Sequence, residues 1–206
     1  MALGFHDDDV MTSVRGAVFI AAPETLVTKA QLKDFTTETE TVGSGDTAWT
    51  NLGHLSEDNL PEFNIDGGDP TVLNTWNKKG FRTKYADTTG TVTIHSVQGD
   101  KDLLTLIYGG VAGSDGGVAY SIEKTPANKS VFILLHDTDT DKRGAFLLPN
   151  VDLTYDNLVT MNQDSFNQYD ILGTFKPSTS LPKSASGKSN YVLQFDAEDF
   201  ASSKGK

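Results

Sequence analysis

The chain has 206 residues, a formal net charge of −11 and no cysteine, and 37% of its residues are hydrophobic. The missing cysteines exclude disulfides, thiolate metal sites and thiol nucleophiles, and the acidic balance disfavours general adhesion to nucleic acid. No apolar run approaches the roughly 20 residues that cross a bilayer, so we expect one globular domain over residues 1–206, made in the cytosol.

A short segment with three consecutive aspartates precedes the first predicted strand. Its stretch FHDDD (5–9) has one imidazole and three carboxylates, but a solvated chain end explains it more simply than a metal site does. The apolar run RGAVFIAA (15–22) stops at Pro23 and predicts a buried strand. The polar segment 36–49, almost without core residues, predicts a long loop of the kind that is usually functional.

Acidic and basic side chains form separate clusters in the middle of the chain. The segment 56–69 carries acids, and WNKKGFRTKY (76–85) interleaves bases with aromatic residues, partly within a second long polar segment, 64–80. Such a basic cluster suits base stacking on nucleic acid, but patches of opposite sign also suit a head-to-tail contact between identical subunits, which the overall charge favours. We predict an assembly interface that contains Trp49, Trp76, Lys78, Lys79, Arg82, Glu57, Asp58, Asp66 and Asp69.

Strand-like segments dominate the rest of the chain. In TVTIHS (91–96) alternate apolar residues share one face. GDKDLLTLIYGG (99–110) differs, since an aspartate at its start and a glycine pair at its end predict a short helix over about residues 100–108. Further strands are predicted at 118–124, 130–136, 144–149, 151–156 and 191–195, before a mobile tail at 198–206. The fold class is therefore mainly β, a sandwich or barrel with one flanking α-helix and long loops.

The stretch HDTDTDKRG (136–144) places Asp137, Asp139 and Asp141 at alternate positions, like the first half of a calcium loop. A calcium loop also needs a glycine and a glutamate at positions where this chain has a lysine and a leucine. Helices flank a calcium loop, whereas predicted strands flank this stretch. We therefore interpret the stretch as a hairpin tip whose acids lie at a surface or an interface.

Signatures of catalysis are missing from the sequence. It contains no G-x-S-x-G elbow, no phosphate-binding G-x-x-x-x-G-K-[ST] and no H-E-x-x-H motif. His54, His95 and His136 are scattered, and none has a partner at ligand or triad spacing. We predict no catalytic residue, no cofactor, no metal ion and no enzymatic activity.

The order of these features resembles a known family. After the first strand and the long loop come WTNLGHLSEDNLPEF (49–63), DGGDPTVLNTWNKKGFRT (66–83), the helix GDKDLLTLIYGG (99–110) and paired apolar strands. The W-x-x-L-G-H segment, the Gly-Gly-Asp before a tryptophan and the glycine-bounded helix resemble those of the major tail proteins, the tail tube subunits of long-tailed, non-contractile bacteriophages.

The resemblance implies a β-sandwich whose copies close into hexameric rings, with the rings stacked into a hollow tube. It implies an inner β-barrel around a channel that genomic DNA traverses without specific binding, and an N-terminal arm (1–13) and long loop (36–49) that bridge rings. Asp137, Asp139 and Asp141 would then face the lumen or a neighbour's bases. Partners would be further copies and other tail proteins, namely the tape measure, the tail tip and the terminator; assembly would occur in the host cytoplasm and function in the virion.

Two other functions fit the same residues. One is a β-sandwich module that binds a carbohydrate or a receptor, with Trp49 and Trp76 as platforms for sugar rings. The other is a tube subunit of a contractile tail or injection machine, which shares the fold. Rings or tubes in electron micrographs would favour a tube subunit, whereas monomers with glycan affinity would favour the binding module; a calcium-dependent hydrolase is the weakest alternative.

Overall fold

The computed structural model describes residues 10–201, so FHDDD (5–9) and residues 202–206 lie outside the described residues. Within that range the chain is mainly β and has two short α-helices, α1 (Lys101–Tyr108) and α2 (Ala197–Ala201). The strands are β1 (Arg15–Ala21), β2 (Thr41–Val42), β3 (Trp49–Asn51), β4 (Glu62–Gly67), β5 (Pro70–Thr75), β6 (Lys78–Tyr85), β7 (Thr88–Ser96), β8 (Val111–Ala112), β9 (Val118–Ala119), β10 (Ala127–Asp137), β11 (Lys142–Tyr155), β12 (Tyr169–Phe175) and β13 (Leu193–Phe195).

One antiparallel sheet of nine strands organises the fold. Its strand order is β2-β3-β1-β10-β11-β12-β7-β4, with β13 paired to β11 off this path. The first half of β11 pairs with β13 and the second half with β12, so this long strand is shared by two parts of the sheet. Two hairpins, β5–β6 and β8–β9, pair only within themselves in the described part of the chain.

Strands that are apolar on both faces form the centre of the sheet. Along β10, Val131 and Ile133 belong to one hydrophobic cluster, whereas Phe132 and Leu134 belong to another. Because successive side chains of a strand point to opposite faces, both faces of the sheet are covered. The buried strands predicted at 15–22 and 130–136 are confirmed.

Different parts of the chain cover the two faces. Side chains of β7, β12 and α1 complete the first cluster, including Val92, Ile171 and Ile107. The second cluster is closed by the segment between β1 and β3 together with Phe200 of α2. Phe200 is buried, so the predicted mobile tail over 198–206 is wrong for residues 198–201, and residues 202–206 lie outside the described residues.

The predicted helix over 100–108 is confirmed as α1. The carboxylate of Asp100 caps its first turn by accepting a hydrogen bond from the amide of Leu103 at 2.8 Å. Gly109 ends the helix in a left-handed conformation with φ 63°. Within residues 10–201, no helix is long and apolar enough to cross a membrane.

Several predicted strands differ from the observed ones. The segments predicted at 144–149 and 151–156 form the single strand β11, in which Pro149 falls where the register with β10 shifts. A proline cannot donate a ladder hydrogen bond, but it is tolerated at such a register shift because the ladder needs no donor there. The strand predicted at 118–124 is wrong beyond Val118–Ala119: its alternation is real, but Ile122 is exposed instead of facing a partner.

Glu24 ties the loop after β1 to the segment after β12. Its carboxylate accepts hydrogen bonds from the Ser178 hydroxyl at 2.7 Å and from the amides of Thr179 and Ser180 at 3.1 Å and 3.0 Å. Burial alone would raise the pKa of Glu24, but these hydrogen bonds outweigh it and hold the pKa below its ordinary value.

Glu24→Gln is therefore expected to destabilise the protein by about 1–2 kcal/mol, because a neutral amide accepts these bonds less strongly. A lowered pKa means that the stabilisation is present above the ordinary value of 4.5 and is lost as the pH falls further. Urea unfolding at pH 7 and at pH 3.5 tests this: the difference between wild type and variant should shrink at the lower pH. An equal difference at both values would contradict it.

Candidate assembly surface

The basic cluster lies on an exposed hairpin whose two strands pair with each other and with no other strand of the described chain. We call residues 70–85, which comprise β5, β6 and their turn, the basic hairpin. From Glu62 to Thr89 every residue is exposed apart from the half-buried Gly68. The hairpin contains Lys78, Lys79, Arg82 and Lys84 and no acidic residue.

The strand register gives the basic hairpin two different faces. Tyr85 pairs with Pro70 and Thr83 with Val72, and Phe81 follows on the same face because alternate residues of β6 share a side. On the other face Lys84 pairs with Thr71 and Arg82 with Leu73. One face is thus mostly apolar, with Phe81 61% and Tyr85 67% exposed, and the other carries cations.

Local hydrogen bonds hold the tip of the basic hairpin in shape. Asn74 Oδ1 accepts from the Gly80 amide at 2.6 Å, and the Thr75 hydroxyl donates to Asn77 Oδ1 at 2.9 Å. Trp76 at the tip is fully exposed. A fully exposed aromatic ring on an ordered turn is characteristic of a contact surface.

Two consecutive glycines form the base of the basic hairpin. Gly67 and Gly68 have φ angles of 85° and 79°, a region that side chains other than glycine disfavour. A Cβ on Gly67 would lie 2.3 Å from the carbonyl oxygen of Asp87. The glycines therefore let the chain turn from β4 into β5 while the bond from the Ala86 amide to the Asp69 carbonyl continues the ladder.

A groove opens between β1 and β4 on the same molecule. We call it the β1–β4 groove; its volume is about 830 Å³, and it includes Leu55, Leu60, Pro61, Phe63, Ile133, Leu135 and Phe146 among its apolar residues. Phe63 on its wall packs against Phe146, with ring centroids 5.1 Å apart. Glu38 and Glu57 also line it, against one arginine, Arg15.

The predicted acids do not form one patch. Glu57 lines the β1–β4 groove, and Glu57 and Asp58 both line a second open groove beside it. Asp66 lies on β4 and Asp69 at the base of the basic hairpin, both exposed. The structure thus separates a groove-lining pair from a pair at the hairpin base; the role of both pairs in assembly stays a prediction.

Trp49 lies inside the protein, so the prediction that it forms part of an interface is wrong. It is 0% exposed and packs against Phe35 and Phe132, with ring centroids 6.1 Å and 6.0 Å away. Val42 of the same segment is buried as well. Val42 and Trp49, two of the few apolar residues in the predicted loop 36–49, therefore anchor this segment on the sheet. Because Trp49 is buried, it cannot be a platform for a sugar ring either.

Residues 3–182 match the family model described as phage tail tube protein. The chain belongs to the phage tail tube protein family. Two curated relatives are similar to it: the major tail protein Gp23 of Mycobacterium phage D29 and that of Mycobacterium phage L5. Each is 34% identical over 137 residues, which are 65% of this chain and 69% of the relative. The resemblance noted in the sequence is confirmed, and the mainly β fold with its short flanking helix agrees with it.

The three aspartates of this tail tube protein occupy different environments. Asp137 is 4% exposed, and its carboxylate accepts from the amides of Thr12 at 3.1 Å, Asp139 at 3.0 Å and Thr140 at 3.3 Å. Asp139 is exposed at the turn, and Asp141 lies 3.1 Å from His136. The prediction that all three line a surface is wrong for Asp137, because its carboxylate is buried and accepts hydrogen bonds from amides of the turn and of the N-terminal arm.

Asp137→Asn is expected to lower the midpoint of thermal unfolding at pH 7, with Asp139→Asn as the matched control of equal charge. The bond from the Thr12 amide, helped by those from Asp139 and Thr140, lowers the pKa of Asp137 from 3.8 to about 2. Its stabilisation is thus complete above pH 3.8 and is lost as the pH falls towards about 2. Calorimetry across that range should show a flatter pH dependence for Asp137→Asn; identical profiles for both variants would refute the assignment.

The structure pairs His95, which the sequence left without a partner. Its Nδ1 lies 2.6 Å from Asp170 Oδ1, and the Gln168 amide lies 2.7 Å from the same oxygen. His95 and Asp170 are directly opposite on β7 and β12. The neighbouring Ser96 hydroxyl is engaged by the carbonyls of His54 and Gln98, so this cluster joins two strands of the tail tube protein.

Sequence reasoning found the charges of this surface but missed its geometry. It treated 64–80 as a loop, whereas β4 and β5 lie there. The alternation of Phe81, Thr83 and Tyr85 was the available signal for β6. The β1–β4 groove had no comparable signal, because its walls come from five separate segments of the chain.

Proposed function

We propose that copies of this protein close into hexameric rings that stack into the tail tube, whose bore conducts the phage genome during ejection. The observation that carries the proposal is the exposed stretch from Glu62 to Thr89, which includes the basic hairpin. Within residues 10–201, no segment covers its apolar face. A surface of this kind is stable in solution only when it is small or when a partner covers it.

The free strands of the sheet support closure by neighbouring copies. β4 is an outermost strand and pairs only with β7 in the described part of the chain. An exposed edge of this length is a template for pairing with another chain. In a closed ring the edges of one copy meet those of the next, and no edge stays open.

The charge of the chain suits a channel that DNA crosses without adhering. Each copy carries a formal charge of −11, and phosphate is repelled by an acidic wall. Asp139 and Asp141 are the acids of the β10–β11 turn that we propose for the lumen or for a contact with a neighbour's bases. Genomic DNA would pass without specific binding, because the acidic balance of the chain repels phosphate.

The remaining assignments follow from the same role. The protein acts as a wall in the virion and not as a catalyst, and it needs no cofactor or metal ion. Residues 1–13 and 36–49 are proposed to bridge successive rings, the second from its exposed polar residues around the buried Val42. Partners beyond identical copies are the tape measure, tail tip and terminator proteins, which would join the tube during assembly in the host cytoplasm.

Negative-stain electron microscopy of concentrated purified protein tests the proposal. We expect rings or hollow tubes for the wild type, and loss of both when Lys78 and Arg82 are changed to glutamate. Lys183→Glu with Lys188→Glu is the matched control, since it makes the same charge change at exposed positions outside the basic hairpin. Monomers at every concentration in sedimentation velocity would contradict the proposal.

Exposure of Trp76 keeps one other candidate open, a module that binds a carbohydrate. A single tryptophan on a cationic hairpin is a small platform, since the buried Trp49 cannot contribute. Glycan-array binding that is lost in Trp76→Ala, by a protein that never forms rings, would favour this function instead.

A further inference from the structure

We propose that the apolar face of the basic hairpin of one copy docks into the β1–β4 groove of a second copy. The inference rests on the proposed self-assembly and names the two surfaces that meet. The hairpin is the donor and the groove is the acceptor, so the contact is head-to-tail and each copy can make it twice.

Apolar surfaces of matching character lie on both sides. The hairpin offers Val72, Phe81 and Tyr85 on one face, all exposed. The groove offers Leu60, which is 52% exposed, and the ring pair of Phe63 and Phe146. Docking would remove both sets from water, which favours association roughly in proportion to the buried apolar area.

The charges of the two surfaces are complementary. The basic hairpin carries four cations and no acid. The groove is lined by Glu38 and Glu57, and Asp58 follows directly in the chain. With the apolar face seated on the floor, the cations of the opposite face lie at the rim, where charges set orientation and association rate more than affinity.

A free strand edge in the groove favours a strand as the occupant. β1 pairs with β10 along its whole length, whereas β3 pairs only with Phe19 and Ile20 of β1. The edge of β1 at residues 15–17, on the wall of the groove, has no strand opposite it within residues 10–201. Strand addition at such an edge is a common way for an extended segment to bind.

The chain's own residues 1–9 are the competing occupant, because residues 13–15 line the groove. Residues 1–9 include Asp7, Asp8 and Asp9 and no lysine or arginine. Acids beside Glu38 and Glu57 would repel, whereas the basic hairpin would be attracted. The acidic residues of the groove therefore favour the basic hairpin over residues 1–9 as its occupant.

Disulfide cross-linking tests the contact, and the absence of native cysteines makes the introduced thiols the only ones. Full-length Thr83→Cys, on the apolar face of the hairpin, is mixed with full-length Leu60→Cys, in the groove, under mild oxidation. The matched control replaces Leu60→Cys with Ile122→Cys, which is 80% exposed and lies outside the groove. We expect a heterodimer yield about tenfold above the control, as for a contact favoured by about 1.4 kcal/mol, and mass spectrometry should identify the linked peptides.

Exchange of charges gives an independent readout. Arg82→Glu and Glu57→Lys should each raise the protein concentration needed for assembly, by roughly tenfold. The double variant should recover much of that loss, because the attraction is restored with reversed signs. A third variant, Lys183→Glu, has the same charge change as Arg82→Glu and should leave assembly unchanged.

The outcomes separate this inference from the proposed function. Tubes that form without the Thr83–Leu60 link, and without recovery in the charge exchange, would overturn the docking and leave the tube intact. A link that forms only after deletion of residues 1–9 would show that these residues fill the groove and would also overturn the docking. The complete absence of rings, tubes and links would refute both.

Discussion

Replacing Trp49 with alanine is expected to destabilise the protein by about 3–5 kcal/mol, as for other fully buried aromatic side chains. The substitution removes the ring that packs between Phe35 and Phe132 and leaves a cavity in the second hydrophobic cluster. Chemical unfolding of the purified subunit measures the change.

Two further variants make this prediction specific. Trp76→Ala is the matched control and should change stability by less than about 0.5 kcal/mol, because that ring is fully exposed among residues 10–201. Trp49→Phe should cost less than Trp49→Ala, since it keeps most of the packing and loses an indole N–H that has no acceptor among the described residues. Equal effects of alanine at both tryptophans would show that Trp49 is not in the core.

Removing the basic hairpin is expected to abolish assembly while the subunit stays folded. Asp69 and Ala86 are bonded across the ladder at 3.1 Å, so an Asn-Gly turn can replace residues 70–85 between them. The excised residues are all exposed and contribute little to the stability of the subunit, whereas the tube would lose one side of every contact between a hairpin and a groove.

Calorimetry and sedimentation velocity together check this result. The unfolding midpoint should stay close to that of the wild type, and the concentration required for assembly should rise at least about a hundredfold, the equivalent of about 2.8 kcal/mol. A shortened subunit that still forms tubes at the wild-type concentration would rule out a role of the hairpin in assembly.

Local patterns sufficed to predict the buried strands and the helix. The runs at 15–22 and 130–136 have too many consecutive apolar residues for anything but a buried element, and Asp100 and Gly109 mark the ends of α1. These features depend on neighbours in the sequence, so the sequence alone contains them.

The misplaced predictions depend on contacts between distant residues. Nothing near Trp49 shows that its segment folds back onto Phe132, and nothing near His95 points to Asp170 on another strand. The segment 64–80 was treated as a long polar segment because its strands are exposed and its few apolar residues are separated by polar residues, glycine and proline. Asp137 was taken for a surface acid because the amides that bind it, especially that of Thr12, have no signature in the sequence.

Amide hydrogen exchange of residues 62–89, compared between dispersed subunits and assembled tubes, tests the central claim most directly. We expect this stretch to exchange rapidly in the subunit and to slow by at least about tenfold in the tube, while peptides from the buried strand β10 stay equally protected in both. Unchanged exchange of residues 62–89 on assembly would contradict the claim that neighbouring copies cover this surface.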